Sequence, residues 1–339
     1  MIIAVDAMGG DFAPAEIVKG AAQGSKLHDV DVVLVGDEEA IKRHLPADWA
    51  ESGRISIHHT TEAINMDDHV DAVRTKRDAS VVVAASMVKG GKADAMVSVG
   101  NTAAAMAVAT LRIGRIKGID RPALATVWPG KNGPSILLDV GAVADCSVDN
   151  LKQFAVMGSI YAEKVLFIKN PRVALLSIGE EKSKGNELVR STYEELAASP
   201  LNFVGNVEGR HLFSGEADVI VADGFVGNVA LKAAEGLAEY VGQLIKDDLR
   251  SHPLAWIPVA LLAPVLKRTK KKLDYTEHGG APLLGIDGVC IIGHGRSNAH
   301  AVVSAVRAAK EAVSGNVVST IRDHLTSVGE KNTCAASSK

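Results

Sequence analysis

The sequence predicts a doubly wound α/β fold with a mainly parallel sheet covered on both faces. Short apolar runs rich in valine and isoleucine alternate with helical stretches along the chain. Such runs are typical of parallel strands, because these strands are buried on both faces. Several runs end in turns that combine glycine with polar side chains. In an open parallel sheet the carboxyl ends of the strands form the ligand crevice, so these turns indicate where a site lies.

Seven runs of mostly aliphatic residues are predicted to form strands. They are residues 2–5, 30–35, 95–99, 136–140, 173–178, 219–222 and 289–292. Glycine-containing polar turns follow at residues 6–11, 98–102, 139–145, 179–185, 223–228 and 293–298. We expect the turns to converge at one edge of the sheet and to form a single site there.

Length, charge and cysteine content restrict the class of protein. A chain of 339 residues with 47% hydrophobic residues can bury a large core. A net charge of -3 argues against a general nucleic-acid-binding protein, because such a protein needs an excess of cationic side chains to neutralise phosphates. Three cysteines without CxxC spacing indicate neither a disulfide framework nor a zinc site. Since the amino terminus lacks a signal-peptide pattern, we expect a cytoplasmic protein.

No internal repeat or long flexible linker divides the chain. We expect one large α/β domain over residues 1–325, which can split into two lobes without a boundary marked in the sequence. Residues 235–272 are predicted to form a helical and apolar projection. The small polar residues at 326–339 are predicted to form a disordered tail.

The turn at residues 98–102 is the first candidate for an anion site. Its sequence, SVGNT, follows a predicted strand and precedes an alanine-rich helical stretch. Backbone N–H groups at a helix start can bind phosphate together with the side chains of Ser98, Asn101 and Thr102. Ordinary helix capping by Asn101 or Thr102 is the alternative explanation. In the turn DAMGGD, Gly9 and Gly10 lie between Asp6 and Asp11, for which a catalytic or metal role competes with turn formation and helix capping.

The turn DGFVGN at residues 223–228 has the same two interpretations. Asp223 and Asn228 can orient a substrate or cap the following helix. Neither turn has the spacing of a Walker loop, and no GxGxxG opens a strand-turn-helix unit, so nucleotide binding is not indicated. Asp139, Asp145, Glu180 and Glu181 also lie in polar turns, where acids are usually solvated.

Two groups of basic side chains are candidates for binding an anionic partner. Arg74, Lys76 and Arg77 lie near a predicted helix start and can bind phosphate or an acidic protein surface. A solvated basic face is the alternative. His294 lies with Arg296 in the turn at 293–298 and can face an anion, although a lone histidine is more often structural.

One segment departs from the α/β pattern. Residues 253–266 read PLAWIPVALLAPVL and precede the basic run KRTKKK. The segment is too short and too rich in proline to span a membrane. It suits a peripheral membrane contact beside anionic lipid, with a dimer or lobe interface as the alternative. The candidate membrane-contact residues are Trp256, Ile257, Leu261, Leu262, Lys267 and Arg268.

Taken together and in this order, the turns resemble those of the phosphate acyltransferase family of bacterial phospholipid synthesis. The resemblance covers residues 1 to about 325. The matching stretches are IIAVDAMGGDFAP, VRTKRDAS, SVGNTAA, LLDVGAVAD, LLSIGEEKSKGNE, NVEGR, VADGFVGNVALKAAEG and GAPLLGIDGVCIIGHGRSNAHA.

The resemblance implies a three-layer α/β/α fold similar to phosphotransacetylases and isopropylmalate dehydrogenases, and a homodimer. It implies transfer of a fatty acyl group from acyl carrier protein to inorganic phosphate. The acyl-phosphate formed would be used by a membrane glycerol-phosphate acyltransferase. No metal or other cofactor is expected, and Arg74, Lys76 and Arg77 are the candidate residues for binding the carrier protein.

We expect phosphate to attack the thioester directly, because no cysteine or serine stands in a recognised nucleophile setting. The candidate phosphate-binding residues are Gly9, Gly10, Asp11, Ser98, Gly100 and Thr102. The candidate catalytic residues are Asn101, Asp223, Asn228 and His294.

Three other functions are compatible with parts of this pattern. The first is a short-chain phosphotransacetylase that uses coenzyme A. The second is a decarboxylating dehydrogenase of similar fold, which would need NAD or NADP and a metal, whereas the sequence lacks a cofactor-binding signature. The third is a nonenzymatic adaptor for lipid or carrier protein, which leaves the polar turns unexplained.

Overall fold

The computed structural model describes residues 1–251, 264–265 and 280–337. Within them, eleven strands form one sheet. The strands are β1 (Ile2–Asp6), β2 (Asp31–Gly36), β3 (Ile55–His59), β4 (Ala95–Ser98), β5 (Ala123–Trp128), β6 (Ser135–Leu138), β7 (Val173–Ser177), β8 (Phe203–Glu208), β9 (Val219–Val221), β10 (Ala281–Leu284) and β11 (Val289–Ile292).

Helices connect most of these strands. In the described residues they are α1 (Ala15–His28), α2 (Glu38–Lys42), α3 (Trp49–Ser52), α4 (Ala72–Thr75), α5 (Ser80–Lys89), α6 (Thr102–Val108), α7 (Val148–Lys164), α8 (Glu187–Ala197), α9 (Gly224–Ser251), α10 (Ala299–Ser314) and α11 (Val317–Ser337). A π-helical turn, Ala109–Ile113, continues α6.

The strands run in two directions within the sheet, whose order is β3-β2-β1-β4-β11-β10-β5-β6-β9-β7-β8. Most neighbouring pairs are parallel, which confirms the predicted mainly parallel sheet. β10 is antiparallel to both β11 and β5, and β5 is antiparallel to β6. These three reversals give β6, β7, β8 and β9 the opposite direction to β1, β2, β3, β4 and β11.

The predicted turns therefore divide between two edges of the sheet. The Asp6 edge carries the turns at 6–11, 98–102 and 293–298, at the carboxyl ends of β1, β4 and β11. The Asp139 edge carries the turns at 139–145, 179–185 and 223–228, at the carboxyl ends of β6, β7 and β9. The prediction that all the turns converge at one edge is wrong, because successive antiparallel pairings at β10 and β5 reverse the strand direction in mid-sheet.

Helices cover both faces of the sheet, as predicted. On one face α1, α7, α8, α10 and α11 enclose a buried cluster that includes Ile3, Phe154 and Val302. On the other face α5, α6 and the first half of α9 enclose a second cluster that includes Met96 and Leu137. Two apolar cores on opposite faces of one sheet produce the three-layer α/β/α arrangement.

The packing of α1 on α10 depends on Gly20. A Cβ atom at this position would lie 2.6 Å from Val302 Cβ and 3.0 Å from Ala299 Cα. We expect Gly20→Ala to lower the free energy of unfolding by about 1–3 kcal/mol, because the overlap forces the helices apart. Gly236→Ala is the control, since no atom lies within 4 Å of an added Cβ there. It should raise that free energy by about 0.4–1 kcal/mol. Urea unfolding measures both, and a fully stable Gly20→Ala protein would contradict the packing.

The predicted projection and tail are described in part. α9 extends to Ser251, so residues 235–251 of the projection are helical. The predicted membrane-contact residues, from Trp256 to Arg268, lie outside the described residues. Of the helices in the described ranges, none is long and apolar enough to cross a membrane. α11 extends to Ser337, and the disordered tail at 326–339 stays a prediction.

Candidate active site

At the Asp6 edge, two turns meet around a buried carboxylate. Asp6 is 3% exposed and accepts hydrogen bonds from Ser80 Oγ at 2.6 Å and Ser98 Oγ at 2.8 Å. A Cβ atom at Gly9 would lie 2.5 Å from Asp6 Oδ2 and 3.0 Å from Gly100 Cα, so only glycine permits this approach. Burial raises the pKa of Asp6, and the hydrogen bonds from the two serines oppose that shift. Ser98 is therefore held by Asp6 inside the protein.

Asn101 anchors a neighbouring loop. Its Oδ1 accepts a hydrogen bond from Ala104 N at 3.0 Å, which caps α6. Its Nδ2 donates to Met66 O at 3.1 Å and to Asp68 O at 3.0 Å. Both amide N–H groups and the amide oxygen are thus engaged within the chain. The capping interpretation of this turn is what the structure shows, and a catalytic role for Asn101 would require these bonds to open.

The third turn of the Asp6 edge lies beside the first two. Gly293 N donates to Ser98 O at 2.9 Å, and Asp11 N donates to Gly295 O at 2.8 Å. His294 is exposed, and its Nδ1 accepts a hydrogen bond from Arg296 N at 3.2 Å. The structure therefore brings together the predicted residues Gly9, Gly10, Asp11, Ser98, Gly100, Asn101, Thr102 and His294.

The predicted carrier-protein residues flank this same edge. Lys76 Nζ lies 2.5 Å from Asp68 Oδ2 and also donates to Ala63 O at 3.0 Å, so its charge is used within the chain. This ion pair lowers the pKa of Asp68. Arg74 and Arg77 are exposed on and beside α4. They are the two members of this group whose side chains are open to a partner.

At the Asp139 edge, a second buried carboxylate organises the turn after β6. Asp139 is 0% exposed and accepts hydrogen bonds from four backbone N–H groups. The donors are Leu124 at 2.9 Å, Gly141 at 3.2 Å, Ala142 at 3.0 Å and Val143 at 2.6 Å. Burial raises the pKa of Asp139, and the N–H donors oppose the shift. The expectation that Asp139 is solvated is wrong, because the turn folds around its side chain.

The start of α9 packs directly on this turn. Gly224 N donates to Val143 O at 2.8 Å, and a Cβ atom at Gly224 would lie 2.7 Å from Asp139 Oδ2. Asp223 caps α9, because its Oδ1 accepts a hydrogen bond from Val226 N at 2.8 Å. Asn228 lies against Gly141. The predicted catalytic residues Asp223 and Asn228 therefore belong to the Asp139 edge and not to the predicted phosphate site at the Asp6 edge.

A cavity of about 410 Å³ opens at the Asp139 edge. It lies between the first turns of α7, α8 and α9, each of which begins at a capped end. The lining residues are Leu151, Leu175, Leu176, Ser177, Ile178, Gly185, Asn186, Val189, Val221, Ala222, Asp223 and Val226. Ser177 Oγ is buried and has no hydrogen-bond partner among the described residues. Sequence reasoning missed this cavity, because its lining comes from distant segments.

The residues that line this cavity have the composition typical of a small-molecule binding site. Ligand cavities are mostly apolar, with a few polar groups that fix orientation. Residues of the first turns of α7, α8 and α9 line the cavity, and the amino-terminal end of a helix dipole favours negative charge nearby. Ser177, Asn186 and Asp223 supply polar side chains. The Asp139 edge can thus hold an apolar group next to an anion, whereas the Asp6 edge offers exposed cations.

Comparison with known proteins gives the following matches. The family described as "Fatty acid synthesis protein" matches residues 1–320. A phosphate acyltransferase of Desulfitobacterium hafniense (strain DSM 10664 / DCB-2) is 52% identical over 327 residues, 96% of this chain and 98% of that protein. A phosphate acyltransferase of Heliobacterium modesticaldum (strain ATCC 51547 / Ice1) is also 52% identical, with the same coverage.

Solved structures show the same fold at low identity. A phosphotransacetylase from Streptococcus pyogenes is 17% identical with a TM-score of 0.61, covering 92% of this chain and 94% of that chain. A branched-chain phosphotransacylase from Enterococcus faecalis V583 is 15% identical with a TM-score of 0.58, covering 92% and 99%. These similarities confirm the predicted likeness to the phosphotransacetylase fold.

Proposed function

Because this chain belongs to the phosphate acyltransferase family, we propose that it transfers a fatty acyl group from acyl carrier protein to inorganic phosphate. The identity of 52% over nearly the whole chain carries this proposal. The products are an acyl-phosphate and the free thiol of the carrier protein. The acyl-phosphate then enters phospholipid synthesis through a membrane glycerol-phosphate acyltransferase.

We place the reacting groups at the Asp139 edge. A phosphate oxygen attacks the thioester carbonyl carbon, and the carbonyl electrons move onto its oxygen. When the carbonyl re-forms, the C–S bond breaks, and the leaving thiolate takes up the proton that hydrogen phosphate loses. The positive dipole ends of α9 and α8 suit the phosphate and the transient oxyanion, because both are negative. Asp223, at the rim of the cavity, is placed to accept a hydrogen bond from the O–H of hydrogen phosphate and so orient it.

Direct attack by phosphate is supported by the state of the nearest thiol. Cys146 lies beside this site, and its Sγ donates to Val143 O at 3.3 Å. Burial, together with the carboxylates of Asp139, Asp223 and Asp145, raises the pKa of Cys146 to about 12. Burial also raises the pKa of Cys290, inside β11, to about 12. Since the thiolate is the nucleophilic form, neither cysteine is suited to carry the acyl group at neutral pH.

Replacing Cys146 with alanine should therefore leave turnover nearly intact. We expect kcat for Cys146→Ala to stay within about threefold of wild type, because no covalent bond to sulfur is formed. Incubation of the wild type with iodoacetamide at pH 8 should likewise cause little loss of activity over the time in which free glutathione is consumed. Accumulation of an acylated Cys146, detected by mass spectrometry of enzyme mixed with acyl carrier protein, would contradict direct attack.

A second placement of phosphate follows the sequence prediction more closely. At the Asp6 edge, Gly9, Gly10 and Thr102 lie near the exposed side chains of His294 and Arg296, and the guanidinium charge of Arg296 suits an anion. Arg74 and Arg77 on the same side support carrier-protein docking there. The two placements predict opposite results for variants of Thr102 and Asp223, which are compared in the Discussion.

The function itself is tested with purified protein, palmitoyl-carrier protein and radiolabelled phosphate. The expected result is label in an organic-soluble acyl-phosphate, with release of one free carrier thiol for each acyl-phosphate formed. Acetyl-coenzyme A serves as the comparison donor. Transfer from acetyl-coenzyme A without transfer from palmitoyl-carrier protein would replace the proposal with a short-chain phosphotransacetylase.

We also propose that α9 forms the homodimer contact. Large apolar side chains along this helix are exposed, and they recur at helical spacing. They are Phe225, Val229, Leu237, Tyr240, Val241, Leu244 and Ile245. Leu237 is 63% and Leu244 is 44% exposed, so neither is needed for the core of one chain.

The double substitution Leu237→Glu with Leu244→Glu should therefore convert a dimer to a monomer, because charge on this stripe opposes burial between copies. Light scattering coupled to gel filtration measures the mass. Leu27→Glu is the matched control, since Leu27 is an exposed leucine on α1, away from the stripe. A double variant that keeps the wild-type mass would exclude α9 as the contact.

Peripheral membrane association is proposed on the sequence at 253–272, most of which lies outside the described residues. Its apolar and basic parts suit the headgroup region of an anionic bilayer. Co-sedimentation with anionic and neutral liposomes tests it, with Leu261→Glu plus Leu262→Glu as the variant. Loss of sedimentation with an unchanged mass in solution supports the membrane contact, and equal sedimentation excludes it.

A further inference from the structure

We propose that the cavity at the Asp139 edge binds the hydrocarbon chain of the acyl donor, and that its size limits the length of chain accepted. This inference rests on the proposed function, because it assigns a place to one part of that substrate. It adds a specificity-determining residue, Val189, which sequence reasoning did not identify.

The cavity is apolar in its deep part and polar at its rim. Leu151, Leu175 and Val221 are each at most 1% exposed, and they lie within α7, β7 and β9. Asn186 and Asp223 are helix caps, at the points where the chain enters α8 and α9. A ligand that fills the cavity must therefore be apolar at its inner end and polar near the surface. An acyl chain that ends in a thioester has this distribution.

A hydrocarbon chain fits the lining better than a polar metabolite. Each polar group placed against these aliphatic side chains would lose its hydrogen bonds to water. Each methylene placed there is removed from water at a gain. The rim also exposes an apolar side chain, since the lining residue Ile178 is 83% exposed. Exposed apolar groups around an apolar cavity are typical of a binding site.

The volume is suited to a long chain. An engineered apolar cavity of about 150 Å³ in another protein holds a six-carbon benzene ring. In proportion, a volume of about 410 Å³ holds about sixteen carbon atoms. An acetyl group would leave most of this space empty. The cavity thus favours a long-chain fatty acyl donor over the short donor of the coenzyme A alternative.

Val189 is placed to set the usable length. It is half-buried in the first turn of α8, a helix fixed at its start by the Asn186 cap. A Cβ atom at Gly185 would lie 2.7 Å from Val189 Cγ1, so the side chain is held against the loop that closes this side of the cavity. A larger side chain at 189 would fill the cavity, and a smaller one would extend it.

The test compares palmitoyl-carrier protein and octanoyl-carrier protein as donors at saturating phosphate. Val189→Phe should lower kcat/KM for the palmitoyl donor by at least about tenfold and leave the octanoyl donor within about twofold. Val189→Ala should shift the preference toward longer chains. Val204→Phe is the control, because Val204 is 47% exposed on the edge strand β8, outside the cavity lining. An unchanged donor ratio in both Val189 variants overturns the proposal.

A binding measurement separates this inference from the proposed function. A fluorescent long-chain fatty acid is titrated into the full-length protein without phosphate or carrier protein. Displacement by palmitate and not by octanoate, with loss of binding in Val189→Phe, supports the cavity even where no acyl-phosphate forms. Normal acyl-phosphate formation together with wild-type fatty-acid binding in Val189→Phe and Val189→Ala overturns the cavity assignment and leaves the proposed function standing.

Discussion

Replacing Asp139 with alanine is expected to lower the free energy of unfolding by about 3–5 kcal/mol. The buried carboxylate accepts hydrogen bonds from four backbone N–H groups, three of which belong to its own turn. Alanine would leave these donors without an acceptor inside the protein, which is costly. The start of α9 should loosen as well, because Gly224 packs on this carboxylate. Thermal unfolding followed by circular dichroism should show a Tm lower by on the order of 10 °C.

Two further variants separate the role of this carboxylate from a general loss of charge. Asp139→Asn has a side chain of similar shape and keeps one acceptor oxygen. We therefore expect its free energy of unfolding to lie between that of the wild type and that of Asp139→Ala. Asp149→Ala is the control, because the Asp149 side chain is 72% exposed and its nearest partner, Lys152, lies at 3.6 Å. It should change the free energy of unfolding by less than about 0.5 kcal/mol. Equal stability of Asp139→Ala and Asp149→Ala would show that the four N–H groups find other partners.

The buried strands were the predictable part of the fold. The runs that became β1, β4, β7 and β11 are continuous and aliphatic, since both of their faces are covered. β3 was missed because it is an edge strand, ISIHH, that exposes both histidines. β8 was missed because FVGNVE interrupts the aliphatic pattern with Gly205 and Asn206. β10 begins at Ala281 and Pro282, residues that are unfavourable in strands and do not mark one in a sequence.

The site was predictable in its parts and not in its assembly. The glycines and small polar residues of each turn follow from local requirements such as the close approach of Gly9 to Asp6. The edge at which a turn lies depends on strand direction, which is decided by the pairing of β10 and β5 with distant strands. The role of Asp139 had one local signal, the run VGAV after it, whose small residues allow the turn to fold back on the carboxylate.

Asp223→Asn is expected to lower kcat/KM for phosphate by about 100-fold while leaving the fold intact. Asparagine caps a helix about as well as aspartate, so the bond from Val226 N to Oδ1 is kept and the Tm should hardly change. The second carboxylate oxygen is replaced by an NH₂ group, which donates and does not accept. A hydrogen phosphate that needs an acceptor for its O–H would then be turned away from the carbonyl carbon. Steady-state rates at varied phosphate measure this loss.

The comparison with Thr102→Val decides between the two edges. Valine has nearly the shape of threonine and removes one hydroxyl group from the Asp6 edge. If phosphate reacts at the Asp139 edge, Thr102→Val should keep kcat/KM within about twofold of wild type. If the predicted turn 98–102 binds the reacting phosphate, the larger loss of kcat/KM should occur in Thr102→Val and the smaller one in Asp223→Asn. A wild-type rate for Asp223→Asn with a large loss for Thr102→Val would place the chemistry beside Asp6. Asp223 would then act only as a helix cap, because capping is the one role that aspartate and asparagine can both perform at this position.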